Sequence, residues 1–236
     1  METTKKYELS NIAIEFNGVT LHRIKALKNF SDVKAGDLGG WIEKEDNLSQ
    51  IGDAWIGGNA KVYGDAQVYD YAQVFCDAEV YGNAQVYGNA QVYENAEVFG
   101  GAKVYNNAEI YCNAKVFGNA KVYENARVYG NAILYGYTLV CGGTNVYGNA
   151  EIYDYAKVYG LAKVFGYAEV FGSSVVCDYA RIYGNAQVFG SSVVYCHAMV
   201  FGKAKVYGRA KIYDNALVCS DIKIFGNSRV CGDSYI

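Results

Sequence analysis

The sequence predicts an all-β fold in which very short strands wind into a three-sided solenoid. From Ala54 to Ile236 the chain repeats every six residues without an insertion or a deletion, and the repeat is Ala-x-Val-Tyr-Gly-Asn. The first position is small throughout most of the chain, with Ala as its usual residue and Thr or Ser as its usual substitutes. Two residues later every position is Val, Ile or Leu. A period of six is too short for a helical repeat unit, whereas it accommodates a strand followed by a turn.

Each hexad is predicted to be one strand and one corner. Side chains alternate along a strand, so Ala60 and Val62 point to one side and Lys61 and Tyr63 to the other. Gly at the fifth position and Asn, Asp or Gly at the sixth suit a corner, because these residues tolerate positive φ. Three hexads then close one triangular coil. Residues 48–236 are predicted to form about ten such coils.

Residues 1–47 lack the hexad and are predicted to form a small N-terminal β cap with the segment that leads into the first coil. The β-prone runs 12–16 and 19–24 flank Asn17 and Gly18, a pair that is a strong hairpin signal. We expect the cap to cover the first coil, because a free solenoid end is a row of unpaired backbone donors and acceptors. The chain contains no Pro, which agrees with a body whose interior amides are needed for strand pairing.

The repeat resembles the hexapeptide repeat of the left-handed parallel β-helix superfamily. Residues 86–91, Val-Tyr-Gly-Asn-Ala-Gln, follow the family's order of an aliphatic residue, a variable or small residue, two turn residues, a small residue and a variable one. The chain departs from the family in having an aromatic residue or Cys after the aliphatic one in every hexad from Tyr63 to Cys231. With the segments 36–41 and 46–50 before it, this version looks like uncharacterised β-solenoid repeat proteins of bacteria and prophages. The resemblance implies a single-stranded left-handed parallel β-helix, but little settled function.

Charge and cysteine content limit the classes of function. The net charge is −3, and the Lys and Arg of residues 54–236 nearly balance the Asp and Glu, so we expect neither nucleic acid nor a membrane as a partner. No apolar run is long enough to span a membrane and no signal-peptide pattern occurs, which predicts a cytoplasmic protein. The seven Cys are expected to be free thiols, because Cys141 and Cys177 lie two coils, about 9–10 Å, apart. No C-x-x-C motif occurs, and neither a metal nor a cofactor is predicted.

Residues three hexads apart should stack on neighbouring coils, so the outer surface is predictable column by column. Aromatic columns are predicted along the three faces, from Tyr63 to Phe225 on the first, Tyr69 to Cys231 on the second and Phe75 to Cys219 on the third. Rows of stacked rings are able to bind sugars or other flat ligands. The simpler interpretation is aromatic packing that covers the backbone ladder between coils.

The second outward column is polar in the first half of the solenoid and becomes apolar later. Apolar residues beside an aromatic column form the kind of patch that marks protein interfaces, so we predict self-association as a dimer or trimer. The last coil also ends in register, so its unpaired backbone groups could pair with another chain. We therefore also predict end-to-end association. The predicted interface residues are Leu139, Cys141, Tyr159, Val175, Cys177, Val193, Tyr195, Met199, Leu217, Tyr235 and Ile236.

These features predict a non-catalytic scaffold or protein-binding module, and they leave two alternatives. A prophage-encoded inhibitor or effector would use the same surface against a host or phage protein. A hexapeptide-repeat acyltransferase, which the resemblance implies, would use a His as general base with acyl-CoA or acyl carrier protein in a cleft between subunits. Of the two His, His22 lies in the cap, and His197 is the candidate base because it occupies a corner, where positive φ is tolerated. The family's expelled loop and C-terminal extension are not seen in this sequence, so no catalytic residue is predicted.

Overall fold

The structure, a computed structural model, describes residues 5–236 and consists of β-strands joined by turns. One 3-10 turn spans Glu45–Asn47, and no α-helix occurs in this part of the chain. No helix of residues 5–236 is long and apolar enough to cross a membrane. Three sheets form the three faces of a prism, and within the prism all strands are parallel. The predicted all-β parallel β-helix with coils of three hexads is therefore confirmed.

Each short strand of the prism pairs in parallel with the strands one coil before and one coil after it. The first face consists of Lys61–Val62, Glu79–Val80, Glu97–Val98, Lys115–Val116, Ile133–Leu134, Glu151–Ile152, Glu169–Val170, Gln187–Val188, Lys205–Val206 and Lys223–Ile224. The second face consists of Gln67–Val68, Gln85–Val86, Lys103–Val104, Lys121–Val122, Leu139–Val140, Lys157–Val158, Val175–Val176, Val193–Val194, Lys211–Ile212 and Arg229–Val230. The third face consists of Trp55–Ile56, Gln73–Val74, Gln91–Val92, Glu109–Ile110, Arg127–Val128, Asn145–Val146, Lys163–Val164, Arg181–Ile182, Met199–Val200 and Leu217–Val218.

Alternation along each short strand places the small and aliphatic residues of the hexad inside the prism. Ala60, Val62 and their equivalents up to Val218 are buried, whereas most of those in the last coil, such as Ile222, are partly exposed. Between coils, the outward residues donate their backbone N–H groups to the next coil, as Lys61 does to Ala78 O at 2.9 Å and Tyr63 to Val80 O at 3.1 Å. Each coil therefore presents donors toward the C-terminal end of the prism and acceptors toward its N-terminal end.

Hydroxyl side chains replace Ala in the interior where they find a nearby carbonyl. Thr144 Oγ1 donates to Cys141 O at 2.6 Å, and Ser174 Oγ donates to Phe171 O at 2.8 Å. In both cases the acceptor lies at the start of the preceding corner, so the buried hydroxyl is satisfied locally. Thr138 is the exception, since its buried hydroxyl has no hydrogen-bond partner among residues 5–236.

The corners differ in one respect from the prediction. The positive φ falls on the fifth position of the hexad, as in Gly64 at +67° and Cys196 at +57°, while the sixth position is not left-handed. The reason given above for His197, tolerance of positive φ, is therefore wrong. Asn recurs at the sixth position because its side chain pairs between coils: Asn89 Nδ2 donates to Asn107 Oδ1 at 3.2 Å, and Asn107 donates in turn to Asn125 at 3.3 Å.

The N-terminal cap is an antiparallel sheet that continues the first face. Strand β1 (Tyr7–Phe16) and strand β2 (Val19–Ala26) form the predicted hairpin, and β2 pairs with strand β3 (Leu38–Ile42). Strand β3 then pairs in parallel with the first strand of the first face, and Leu48 forms a parallel bridge with Val68. This imperfect coil raises the number of turns to about eleven, where the sequence predicted about ten. The boundary placed between residues 47 and 48 stays a prediction.

The cap supplies donors to the acceptors that the first coil presents. Lys6 Nζ, which is buried, donates to Ala54 O at 2.8 Å. The side-chain amide of Asn47 donates to Ala66 O at 2.9 Å, and the Trp41 N–H donates to the next coil of the first face at 2.8 Å. Burial is the main cause that lowers the pKa of Lys6 to about 8. The first coil is thus closed by side-chain and backbone donors together.

Candidate functional site

The outer surface carries three columns of aromatic rings, as the sequence predicted. On the first face the rings from Tyr63 to Phe225 stack without a break, with centroids 4.7–5.5 Å apart and planes within 16° of parallel. On the third face the stack from Phe75 to Phe201 is equally continuous. Phe16 of the cap closes the first column with an edge-on contact to Tyr63, at 5.8 Å. The rings of these two columns cover the backbone ladder between coils.

The second face differs because cysteines interrupt its aromatic column. Its rings stack from Tyr69 to Tyr123, and the next three places along the column are Cys141, Tyr159 and Cys177. Both thiols are covered, with 8% and 7% of the residue exposed, while Tyr159 between them is 39% exposed. Burial raises the pKa of the Cys141 and Cys177 thiols, and all seven cysteines of the chain are free. The continuous stack therefore ends at Tyr123, and only Tyr159 stands exposed before Tyr195 and Tyr213 stack again at 5.1 Å.

The predicted apolar column on this face is present but not continuous. Val175 and Val193 are direct ladder partners on neighbouring coils. Leu139 is separated from Val175 by Lys157, which pairs with both. All three apolar side chains are partly exposed. The second face thus gathers Leu139, Val175 and Val193 with the column residues Cys141, Tyr159, Cys177 and Tyr195.

The other predicted interface residues lie elsewhere. Met199 and Leu217 are ladder partners on the third face, and Tyr235 forms a bridge with Leu217 in the coil that follows. Tyr235 is 70% exposed and Ile236 is 40% exposed. The predicted interface residues therefore fall into two groups on adjacent faces.

Exposed apolar residues at the corners were missed by the sequence analysis. Tyr137 and Tyr155 stack at 5.3 Å on the corner that precedes the second face, and each is 60% exposed. Leu161 and Tyr179, 48% and 52% exposed, occupy the corner that follows it. In the first half of the prism the same corner columns hold mainly Asn and Asp. The departure from Asn at the sixth position was a signal in the sequence that could have found them.

We call the resulting surface the apolar platform. It is the second face of the middle coils, framed on both edges by exposed corner side chains. It comprises Tyr137, Leu139, Tyr155, Tyr159, Leu161, Val175, Tyr179, Val193 and Tyr195. Lys157 is the only charged residue that a strand of this face contributes between Leu139 and Val193.

His197 lies at the next position of the same corner column as Tyr179. Its ring stacks on Tyr179 with centroids 4.8 Å apart and planes 3° from parallel. Leu161, Tyr179 and His197 project where the first half of the prism has mostly short Asn side chains, and a groove forms between them and the third face. The imidazole makes no side-chain hydrogen bond to any residue in the range 5–236, so no partner orients it as a general base.

Two comparisons with known proteins agree with this architecture. Residues 120–136 and 180–195 match the family described as YdcK Beta solenoid repeat. These two segments of the chain are therefore similar to that repeat family. The protein named "Uncharacterized acetyltransferase YdcK" from Escherichia coli (strain K12) is 40% identical to it over 60 residues, which is 22% of this chain and 18% of that protein. The match thus spans less than a fifth of the relative's length.

The two matched segments lie on either side of the coils that depart most from the hexad. Between residues 136 and 180 the corner columns carry Tyr137, Tyr155, Leu161 and Tyr179 in place of Asn. In the matched segments and in the coils between them, the interior has Ala, Thr or Ser at the first position of the hexad and Val, Ile or Leu at the third, and all of these residues are buried. The interior of the solenoid is therefore nearly uniform, while its outer surface changes in the middle.

Proposed function

We propose that this β-solenoid is a non-catalytic scaffold that binds a second copy of itself through the apolar platform. The observation that carries the proposal is the framing of the second face by exposed corner side chains on both edges. Large apolar side chains gathered on one flat surface usually mark a protein interface. The same face in the first half of the prism is polar, with Gln67, Gln85, Lys103 and Lys121 in its outward column. Within the second face, apolar character is thus confined to the middle coils.

A second copy is the partner that the charges of the platform favour. Lys157 lies in the middle of the platform. Asp154 lies on the prism corner before the second face, and Asp178 lies on the corner after it. A surface that carries both signs is able to pair with itself, because a two-fold contact brings each patch against its own copy. A partner recognised by charge alone would instead favour a platform of one sign.

Sedimentation velocity provides the first test. We expect a dimer at about 10 μM, because flat apolar surfaces lose water on contact. Replacing Val175 and Val193 together by Gln is expected to weaken the dimer about tenfold or more. Gln occupies the same column at positions 67 and 85, so the variant should keep its fold. Replacing Lys103 and Lys121 by Gln on the polar half of the face is the matched control, and it should leave the dimer unchanged.

A wild-type chain that sediments only as a monomer at tens of micromolar would overturn the proposal. An equal loss in the control pair would also overturn it, because the contact would then not depend on the platform. In the monomer case the platform would belong to a different protein, as the inhibitor or effector alternative requires.

Acetyl transfer is the second candidate, and it is supported by the name of the relative and by the place of His197 in a groove. His197 would take the proton of an acceptor hydroxyl or amine as that group attacks a thioester. We expect calorimetric titration with acetyl-CoA to give binding in the micromolar range. We expect His197→Asn, which restores the common corner residue, to abolish turnover without unfolding the coil. His22→Asn in the cap is the control. Absence of binding at millimolar acetyl-CoA would exclude this candidate.

A further inference from the structure

The groove beside His197 has an unusual combination of walls. Its volume is about 320 Å³. One wall is the ridge formed by Leu161, Tyr179 and His197, and it begins where Gly143 leaves the corner without a side chain. The opposite wall is the outward column of the third face, which contributes Asn145, Lys163, Arg181 and Met199. The groove is therefore lined by Leu and aromatic rings on one side, and by two cations, an amide and a thioether on the other.

The two cations of this groove have no acidic partner. Lys163 and Arg181 are direct ladder partners on neighbouring coils, which places their backbones about 4.8 Å apart. Neither forms a salt bridge with any residue from 5 to 236. Lower on the same column, Arg127 is paired with Glu109 at 3.2 Å. Like charges on neighbouring strands destabilise a sheet, so an unpaired pair of this kind favours an anionic ligand.

The nearest carboxylate along the chain does not neutralise these cations by contact. Asp178 precedes the ridge residue Tyr179, but its Oδ2 accepts the Cys196 N–H at 3.1 Å across the corner. It is not part of the groove lining. The cationic wall is consequently open to an anion from solution.

We propose that this groove binds a small ligand in which a phosphate group is joined to a planar ring. Lys163 and Arg181 would hold the phosphate, because two adjacent cations match the double negative charge of a phosphate monoester better than the single charge of a carboxylate. Tyr179 and His197 are stacked face to face on each other, so their ring edges would pack against the ring of the ligand. Asn145 also lines the groove, where its Nδ2 donates to Gly143 O at 3.2 Å.

The proposal depends neither on dimer formation nor on acetyl transfer. Leu161 and Tyr179 belong to both the platform and the groove, but the cations Lys163 and Arg181 lie on the third face, outside the platform. A phosphate monoester such as phenyl phosphate has no acyl group to transfer, so its binding measures the groove alone. Absence of acetyl-CoA binding would therefore count against acetyl transfer alone, and absence of phenyl phosphate binding would count against the groove proposal alone.

The test is a titration of the full chain with phenyl phosphate, followed by NMR of the imidazole signals. The chain has two His, so His197 reports on the groove and His22 in the cap is the internal reference. We expect the His197 signals to shift to saturation and the His22 signals to stay in place. Replacing Lys163 and Arg181 by Met should remove the shift. The matched control is Lys103→Met with Lys121→Met, a cation pair on neighbouring coils beside Asn corners.

Two further arms separate the ring from the anion. Inorganic phosphate should bind about tenfold more weakly than phenyl phosphate. The Tyr179→Asn variant should bind phenyl phosphate only as weakly as the wild type binds inorganic phosphate. Benzoate, which has the ring but one charge, should also bind more weakly. Equal shifts of His22 and His197, or full binding by the Lys163→Met and Arg181→Met variant, would overturn the proposal. Equal affinity for benzoate and phenyl phosphate would overturn its choice of phosphate.

Discussion

Replacing Val122 by Asp is expected to unfold the middle of the solenoid. Val122 is fully buried and lies between Val104 and Val140 on neighbouring coils of the second face. A carboxylate there would have neither water nor a counter-ion, which costs about 3–5 kcal/mol for a buried unpaired charge. Because each coil is stabilised only by its neighbours, the damage should spread along the prism. We expect the melting temperature followed by circular dichroism to fall by about 10 °C or more.

The neighbouring residue provides the control for this variant. Lys121 belongs to the same strand but is exposed, so Lys121→Asp should melt close to the wild type. Limited proteolysis should then cut the Val122→Asp chain in the middle coils and leave the Lys121→Asp chain intact. Normal thermal stability of Val122→Asp would mean that the interior is not dry, and the assignment of inner and outer columns would fail with it.

The aromatic columns make a second large effect predictable, a loss of stability in alkaline solution. Burial raises the pKa of Tyr93 to about 12 and raises the pKa of Tyr111, Tyr129 and Tyr147 in the same column. An unfolded tyrosine titrates near pH 10, so above that pH the unfolded chain loses protons that the folded chain retains. Stability is therefore complete below about pH 10 and declines as the pH rises toward the folded values.

Thermal melts at pH 9 and pH 11 measure this effect. The rings are partly exposed, so each contributes only a fraction of the ~1.4 kcal/mol that one full pKa unit carries. Summed over the columns, we expect the melting temperature to fall by about 10 °C between the two pH values.

The native columns offer a matched variant for this prediction. Phe stands in the third column at Phe75, Phe165 and Phe201, so a chain with Phe at the four tyrosines from 93 to 147 should fold. That variant should lose part of the alkaline sensitivity and keep its stability at pH 9. If the variant and the wild type lose stability equally, the tyrosines are not the groups that titrate.

The interior of the protein was predictable from its sequence because one rule governs it. Small residues at the first position and aliphatic residues at the third recur in nearly every coil, since a larger side chain at the first position would meet the side chains of the coils above and below. The hairpin at Asn17 and Gly18 was predictable for a similar reason, as the turn tolerates few residues. Periodicity of this kind determines which residues are inside, and hence the fold.

The surface was only partly predictable. The outward residues Leu139, Val175 and Val193 were found because they replace Lys or Gln, but the corner residues were treated as turn formers alone. The structure shows that Asn at the sixth position pairs with its copies between coils, so that Tyr179 and His197 mark a change of surface and not a variation in turn chemistry. Turn preference and side-chain pairing favour the same residue, and a single sequence does not separate them.

The cap was predicted in outline but not in its chemistry. That Lys6 would enter the fold and donate to Ala54 O could not be inferred from the sequence, because the contact joins residues far apart in the chain with no repeat to relate them. The groove beside His197 is a similar case. Its two walls belong to different columns, and only the shape of the corner brings them into one site.

The constant coil length makes the prism a molecular ruler with a fixed phase. Removing one whole coil, such as 102–119, would join each face to the same face of the next coil. It would shorten the prism by one strand spacing, about 4.8 Å. Removing a single hexad, such as 102–107, would preserve the inside of every coil and rotate all later coils by one third of a revolution relative to the cap. Whole-coil changes thus alter reach, whereas single-hexad changes alter the direction in which the later surfaces point.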